Sequence, residues 1–506
     1  MRTSPLPSYR RATLVVLAVT GIAAACGAIP VSPALSLAPG SPRLAAPTSA
    51  NGTSAGGSAV PAASGQGTGL GPELTPALEA QLNATLLRLR AADHLPGVQA
   101  VVRTAGGAAW SGHAGFADLA TRERVTATTL FDAGSITKTF VAALTLQLAA
   151  GGVLGLDDPL SRWLPGFTRG PGVTLRELLD QTSGIDDPFL HATLLNALGA
   201  HPRRPWTPDQ VLRYTGRPHF APGRGWFYSN ANYILLGQVI QRATGESVAA
   251  LVRRRFLDPL GLGHTFLQGQ EPVTGVAAHG YAAASPASGV PTDLSDGTSY
   301  LPFTSLATAL GTAGALVTTA DDLSRWAEAL YGGRVLEPTA LGQMLDFGLT
   351  RGLKPRWPYG LGAQQIAFSG RLSWGHSGLL SGYHAAMRYF PGSGLTIAVL
   401  MNTDATNPDA TVAALLGVLY PPTATLAPSV TPVPPSTASP PRALRASSMN
   451  GRSRLVISSR VRRKAANFSA SVPSTSAGSS RPQWSALCSP GKTGQTWRAR
   501  SQTVMT

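Results

Sequence analysis

Residues 131–140 read FDAGSITKTF and set Ser135 three positions ahead of Lys138. The chain is sparing with lysine: of 41 basic residues only Lys138, Lys354, Lys464 and Lys492 are lysine, and the other 37 are arginine. Arginine stays protonated at any working pH, whereas a desolvated lysine can lose its proton and act as a base. If the stretch after Ser135 is helical, positions i and i+3 share a face, which brings the amine beside the hydroxyl. An activated serine nucleophile requires that arrangement. A helix-capping serine followed by a surface lysine gives the same letters, and Ser-x-x-Lys arises by chance about once in a chain this long. The pair needs company before it means chemistry.

The two ends of the chain limit where that company can lie. The N-terminus, MRTSPLPSYRRATLVVLAVTGIAAACGA, runs from basic residues through an apolar stretch to small residues around Cys26. Residues 1–28 read as a secretory signal, too short for a membrane span, and predict a secreted, extracytoplasmic protein. The AAAC ending at Cys26 also resembles a lipoprotein box with Ala23 in place of the usual leucine. Cys26 is therefore a candidate lipidation site, with a membrane lipid anchor as one outcome and plain cleavage, or retention of the segment as an anchor, as the others. Residues 29–72 are Ala, Gly, Ser, Pro and Thr with almost no charge, the composition of a flexible tether. Residues 421–506 are Pro-, Ser- and Arg-rich without Asp or Glu, and are expected to be disordered.

A net charge of +16 would suggest nucleic acid or an anionic surface if a folded domain carried it. Four arginines lie before residue 73 and twelve basic residues lie beyond 441, with no acid in either stretch, so residues 73–420 are neutral. Nucleic acid is thereby removed as a partner of the folded part. Cys26 and Cys488 both fall outside it, leaving no disulfide and no cysteine-based metal site there.

Within 73–420, LTPALEAQLNATLLRLRAADH has helical spacing, and VQAVVRTAGG with AAWSGHAGFAD reads as two strands around a glycine turn. VAALTLQLAAGG is an apolar helix stopped by Gly151 and Gly152. Helical and loop segments follow, among them ANYILLGQVIQRAT and ADDLSRWAEALYGG, the latter expected to be capped by Asp321 or Asp322. SGYHAAMRYF and GLTIAVLMN read as strands, and PDATVAALLGVLY as a closing helix. Strands at both ends with helices between predict an α+β fold: an antiparallel sheet flanked by helices, with a mostly helical inserted subdomain.

Two further motifs stand in this region. Tyr228-Ser229-Asn230 lies in GWFYSNANYILLG, where a helix begins, and His376-Ser377-Gly378 lies in WGHSGLLSGY, beside a strand pair. With Ser135 and Lys138 they resemble the penicillin-recognising serine hydrolases, in the arm holding class C β-lactamases, D-alanyl-D-alanine carboxypeptidases and related esterases; Ser-x-x-Lys, Ser-Asp-Asn and Lys-Thr-Gly form the sister pattern. The resemblance runs over about residues 75–420 and includes GVLGLDDPLSRWLPGF, LRELLDQTSGI, GTAGALVTTADDLSRW and YGLGAQ. It implies that Ser135 attacks a carbonyl carbon while Lys138 and Tyr228 share the proton transfers. It implies substrate binding by Asn230, His376, Ser377, Gly378 and Leu379, with the N–H groups of Ser135 and Leu379 as an oxyanion hole. It implies no cofactor, no metal, and a monomer acting on a small-molecule or peptidoglycan-like substrate. A binder that is acylated by penicillin without turnover is the alternative.

Other matches are set aside. SPGKTG in the tail repeats Ser-x-x-Lys at Ser489 and Lys492, but Pro490 and Gly491 forbid the helix. GTSAG at 52–56 lies in the tether, and His113-Ala114-Gly115 reads as part of a hairpin strand. Asp157-Asp158, Asp186-Asp187 and Asp321-Asp322 sit at turns and helix starts, so capping explains them better than a carboxylate pair. In the family's carboxypeptidases an arginine shortly after Tyr-Gly-Leu-Gly holds the substrate carboxylate; here Tyr359-Gly360-Leu361-Gly362 is followed by Ala363, Gln364 and Gln365.

Overall fold

The structure is a computed structural model and describes residues 71–283, 290–353, 355 and 357–421. Cys26 and the GTSAG and SPGKTG matches lie outside the described residues, as do all but the end of the tether and the first residue of the tail. Thr75 caps the first helix by accepting from Leu78 N–H, and Pro76 opens it: α1, Pro76–Ala92. There follow β1 (Gly97–Arg103), β2 (Ala109–Asp118) and β3 (Glu123–Arg124), then the helix after Ser135, α2 (Thr137–Ala150). The long middle contains α3 (Asn230–Thr244) and α4 (Ala320–Tyr331), and the chain returns through β4 (Gln364–Phe368), β5 (Arg371–Leu380), β6 (Tyr383–Phe390), β7 (Leu395–Met401) and α5 (Pro408–Leu419).

The strands form one antiparallel sheet in the order β3-β2-β1-β7-β6-β5-β4. The first and last segments of the domain thus meet at its centre, as Val101 opposite Ala398. β1 and β7 are buried at every residue, which is why they are apolar apart from Gln99, Arg103 and Thr396, whereas the first six residues of β2 alternate exposed and buried. One face carries α1 and α5, whose Leu82, Leu86, Val412 and Leu415 pack on Val98, Val102, Ile397 and Val399. Leu400 and Ala398 face the other way, into the core shared with α2, α3 and α4. Among the described residues no helix is long and apolar enough to cross a membrane.

α2 is buried on almost every side, so the reading of an apolar helix holds. Phe140 stacks on Trp326 of α4 with ring centroids 3.9 Å apart, and the indole N–H donates to Thr139 at 2.9 Å. A small sheet, made of strands too short to show a pattern, pairs Phe131 and Asp132 with residues 316–318, which pair in turn with 266–267. It ties the segment ahead of Ser135 to the middle of the chain. The expected cap of α4 is corrected. Thr319 is the extended residue that accepts from Asp322 N–H at 3.3 Å, while Asp322 accepts from Thr265 and His264 and Asp321 pairs with Arg103 and Arg325.

Beneath β5, Arg388 of β6 is fully buried and makes two 2.9 Å bonds to Asp409 of α5. Removing one partner of such a pair strands the other in a poor solvent. Arg388→Leu is expected to cost about 3 kcal/mol in denaturant-induced unfolding; a loss of about 0.5 kcal/mol or less would mean that the pair behaves as an exposed one.

Candidate active site

Asp132 accepts from Gly134 N–H at 2.6 Å and from Gln268 at 2.9 Å, closing the turn that leads into α2. Its full burial pushes the carboxyl pKa well up. Gly134 has φ +52°, a conformation that a side chain would strain, and it is followed by Ser135 in a single 3-10 turn, Gly134–Ile136. Lys138 lies one turn on, with no exposed surface. Its Nζ donates to Ser135 Oγ at 3.1 Å, to Asn230 Oδ1 at 2.8 Å and to the Ala313 carbonyl at 2.7 Å. The ring of Tyr228 lies 4.8 Å from the amine and that of Tyr233 5.5 Å. The four residues read from the sequence as catalytic or amide-binding are therefore brought together. Ala313 was missed, because a backbone acceptor carries no side-chain signature.

Asn230 opens α3, and its Nδ2 donates to Asp187 Oδ2 at 2.9 Å. The segment DQTSGIDD at 180–187 clamps this whole corner. Gln181, at φ +69°, accepts from Ser229 N–H at 2.9 Å and from Asn232 at 2.6 Å, and Ser183 donates to Asn232 at 2.7 Å. Capping alone does not account for Asp187. One of its oxygens does cap the turn Pro188–Leu190, accepting from Phe189 N–H at 3.1 Å, but the other holds Asn230. Burial raises its pKa to about 6.

Strand alternation decides where the His-Ser-Gly motif places its side chains. His376 is 1% exposed, its ring centroid 5.8 Å from that of Tyr359 and 6.3 Å from that of Tyr228. Its Nδ1–H donates to the Ser377 carbonyl at 2.6 Å, which leaves Nε2 to accept from Tyr359 O–H at 3.1 Å. Burial, and then the nearby Lys138, pushes the imidazole pKa down to about 3, so the ring is neutral. Ser377 points through the opposite face of the sheet, where its hydroxyl meets Arg388, Asp409 and Gln364. Neither side chain is free for a substrate in this arrangement.

The backbone is another matter. β4 pairs with β5 only as far as Gly375, so among the described residues no strand pairs with this edge of residues 376–380. Ser377 N–H points to that edge and donates to Gln364 at 3.0 Å, and Leu379, two residues on, points the same way. A side chain on Gly378 would overlap the carbonyl oxygen of Ala133, and one on Gly134 would come within 2.9 Å of Leu379 N. The two glycines let the edge of β5 lie against the serine turn, with the backbone nitrogen of Leu379 at the contact.

A family model described as Beta-lactamase matches residues 79–420. The chain belongs to the beta-lactamase family. A penicillin-binding protein of Bacillus subtilis is 31% identical over 159 residues, 30% of this chain and 33% of that protein. Esterase EstB of Burkholderia gladioli is 35% identical over 198 residues, 37% of this chain and 50% of that protein. This beta-lactamase-family chain thus spans a third to a half of the length of these curated relatives. A D-stereospecific amidohydrolase from Streptomyces superposes with a TM-score of 0.56 at 30% identity, over 68% of this chain and 98% of that one.

The buried imidazole makes a prediction. His376 is expected to show no titration between about pH 5 and 8, with nitrogen shifts of an Nδ1–H tautomer, when followed by nitrogen-resolved NMR. Its folded pKa of about 3 lies below the free value of 6.5, so its support for the fold is complete above pH 6.5 and fades as pH falls toward 3. A midpoint near 6.5 for this ring would contradict the burial.

Proposed function

We propose that this chain is a serine hydrolase that works through an acyl-enzyme on an amide or ester, with Ser135 as nucleophile and Lys138 as its base. The seat of the Lys138 amine carries the reading. As an ammonium, Lys138 donates to Ser135, Asn230 and Ala313 alike, whereas the neutral amine that acts as base has two N–H bonds and one lone pair. The oxygens of Asn230 and Ala313 can only accept, so they take the two N–H groups and leave the lone pair facing Ser135 Oγ. The serine proton moves to Lys138 as Oγ bonds to the carbonyl carbon and the carbonyl electrons shift onto oxygen. The N–H groups of Ser135 and Leu379 receive that charge. Collapse breaks the bond to the leaving nitrogen or oxygen, which takes the proton from Lys138 by way of Tyr228. Water then repeats the sequence on the acyl-enzyme and Ser135 regains its proton.

That edge of β5 suits an extended acyl segment added as a further strand, bound by backbone around Gly378 rather than by the side chains of His376 or Ser377. β-Lactams, D-amino-acid peptides and simple esters all fit, and the esterase and D-stereospecific amidohydrolase names among the relatives support that range. A free terminal carboxylate fits less well. Gln364 is committed to Ser377 N–H and Arg388 to Asp409, so neither offers it a charge. The signal-like residues 1–28 support export, with lipidation of Cys26 as a route to the membrane and the class C arm of the family as an analogy.

The test is incubation of the full chain with a fluorescent penicillin, nitrophenyl esters and D-alanyl peptides. A burst of one equivalent followed by steady turnover is expected with at least one of them. Lys138→Arg and the closer fit Lys138→Met are both expected to lose a factor on the order of 10³ or more. Ser135→Ala should form no adduct. Near-normal turnover in a folded Lys138 variant, or an adduct on Ser135→Ala, would sink the reading; one equivalent and then silence would make the protein a binder.

A further inference from the structure

We infer that Asp187 is a positioning residue: it fixes which end of the Asn230 amide faces Lys138, and so where the lysine lone pair points. The inference rests on the serine-hydrolase reading above. The two ends of an amide have nearly the same shape but opposite hydrogen-bonding character. Toward an amine that must donate, only the oxygen end serves. Asp187, when ionised, can only accept, so the N–H end of Asn230 turns to it at 2.9 Å and Oδ1 is left to Lys138 at 2.8 Å. The second oxygen of Asp187 is pinned by Phe189 N–H at 3.1 Å, which stops the carboxylate from rotating. At 1% exposure, water offers little competition for either bond.

A cap needs only one oxygen, and serine supplies that in many helices. Capping therefore leaves the second oxygen, and the choice of a carboxylate in a buried site, without a reason; orienting the amide supplies it. The charged groups around Asp187 fit. Lys138 faces it across Asn230, while the neighbouring Asp186 is turned to His191, His219 and Gly216 N–H. A protonated Asp187 would set an O–H against the N–H of Asn230. The amide would lose its partner or turn, and a turned amide presents N–H to the lysine. Burial has raised the Asp187 pKa to about 6, with Lys138 pulling the other way, so that loss falls on the acid side of neutrality.

The test measures kcat, KM and thermal unfolding of the full chain, from about pH 4.5 to 9, on whichever nitrophenyl ester the wild type turns over. Asp187→Asn keeps the size, and Asp187→Ser keeps an oxygen for Phe189 N–H but cannot reach Asn230. Each is expected to lose about 10- to 100-fold in kcat with KM changed less than about twofold, and to lose the acid limb near pH 6. The paired exchange Asp187→Asn with Asn230→Asp restores a donor–acceptor pair and keeps an oxygen toward Lys138. It should recover part of kcat with an optimum moved to higher pH, because a carboxylate beside the amine favours its charged form. A folded single variant with wild-type kcat, or an acid limb that survives in Asp187→Asn, overturns the inference. If both single variants unfold, the exchange decides: a folded exchange protein without alkaline recovery overturns it. A wild type that forms no adduct at Ser135 overturns the hydrolase reading and this inference together, whereas normal acylation with indifferent Asp187 variants overturns this inference alone.

Discussion

A lysine amine taken wholly out of water must be given oxygens, and the domain is arranged to deliver three to Lys138. They come from a turn three residues back, from the start of a helix 92 residues on and from a carbonyl 175 residues on. Leaving an ammonium or amine without such partners in the interior costs several kcal/mol, comparable to a sizeable part of a domain's net stability. The helical middle of the chain therefore cannot be an independent ornament on the sheet. It brings Asn230 and the turn at Gly311–Ala313 to the buried end of Lys138, and the small sheet joining residues 131–132 to 316–318 holds that turn in register with Ser135.

The second constraint is steric. β5 and the serine turn touch through two residues without side chains, and that contact brings the backbone nitrogen of Leu379 against the turn that carries Ser135. From the other side of the sheet, Ser377, Gln364, Arg388 and Asp409 bind one another and fix the strand in place. One strand thus carries three assignments on three successive residues: a neutral ring packed on Tyr359, a hydroxyl locked beneath the sheet, and a glycine against the nucleophile.

Much of this was legible in the sequence, for reasons that can be named. Ser135, Lys138, Tyr228 and Asn230 use side chains that few other roles demand together, and their spacing survives because each stands at the start of a helix or in the turn before one. The sheet was legible because β1 and β7 are mostly apolar and lie at opposite ends of the domain. The partners of the His376 and Ser377 side chains were not legible, because a strand shows alternation but not which face meets the site. Thr319 was overlooked beside two acids, although a threonine three residues before Asp322 is itself a helix-start signal. Asp187 was hidden by its own capping role, since a residue that explains itself locally gives no hint of a second bond to an element 43 residues away.

The position of that acid also bears on why the lysine can serve as a base at all. A carboxylate in direct contact with the amine would stabilise its protonated form and remove the lone pair that Ser135 needs. Here the oxygens accepting from Nζ in the bonds to Ser135, Asn230 and Ala313 are all uncharged, and the carboxylate of Asp187 stands one amide further out. The amide transmits direction while holding the charge at a distance. A buried acid can then order a basic site without neutralising it, provided that a group with one accepting and one donating end lies between them, and asparagine is the shortest side chain that has both.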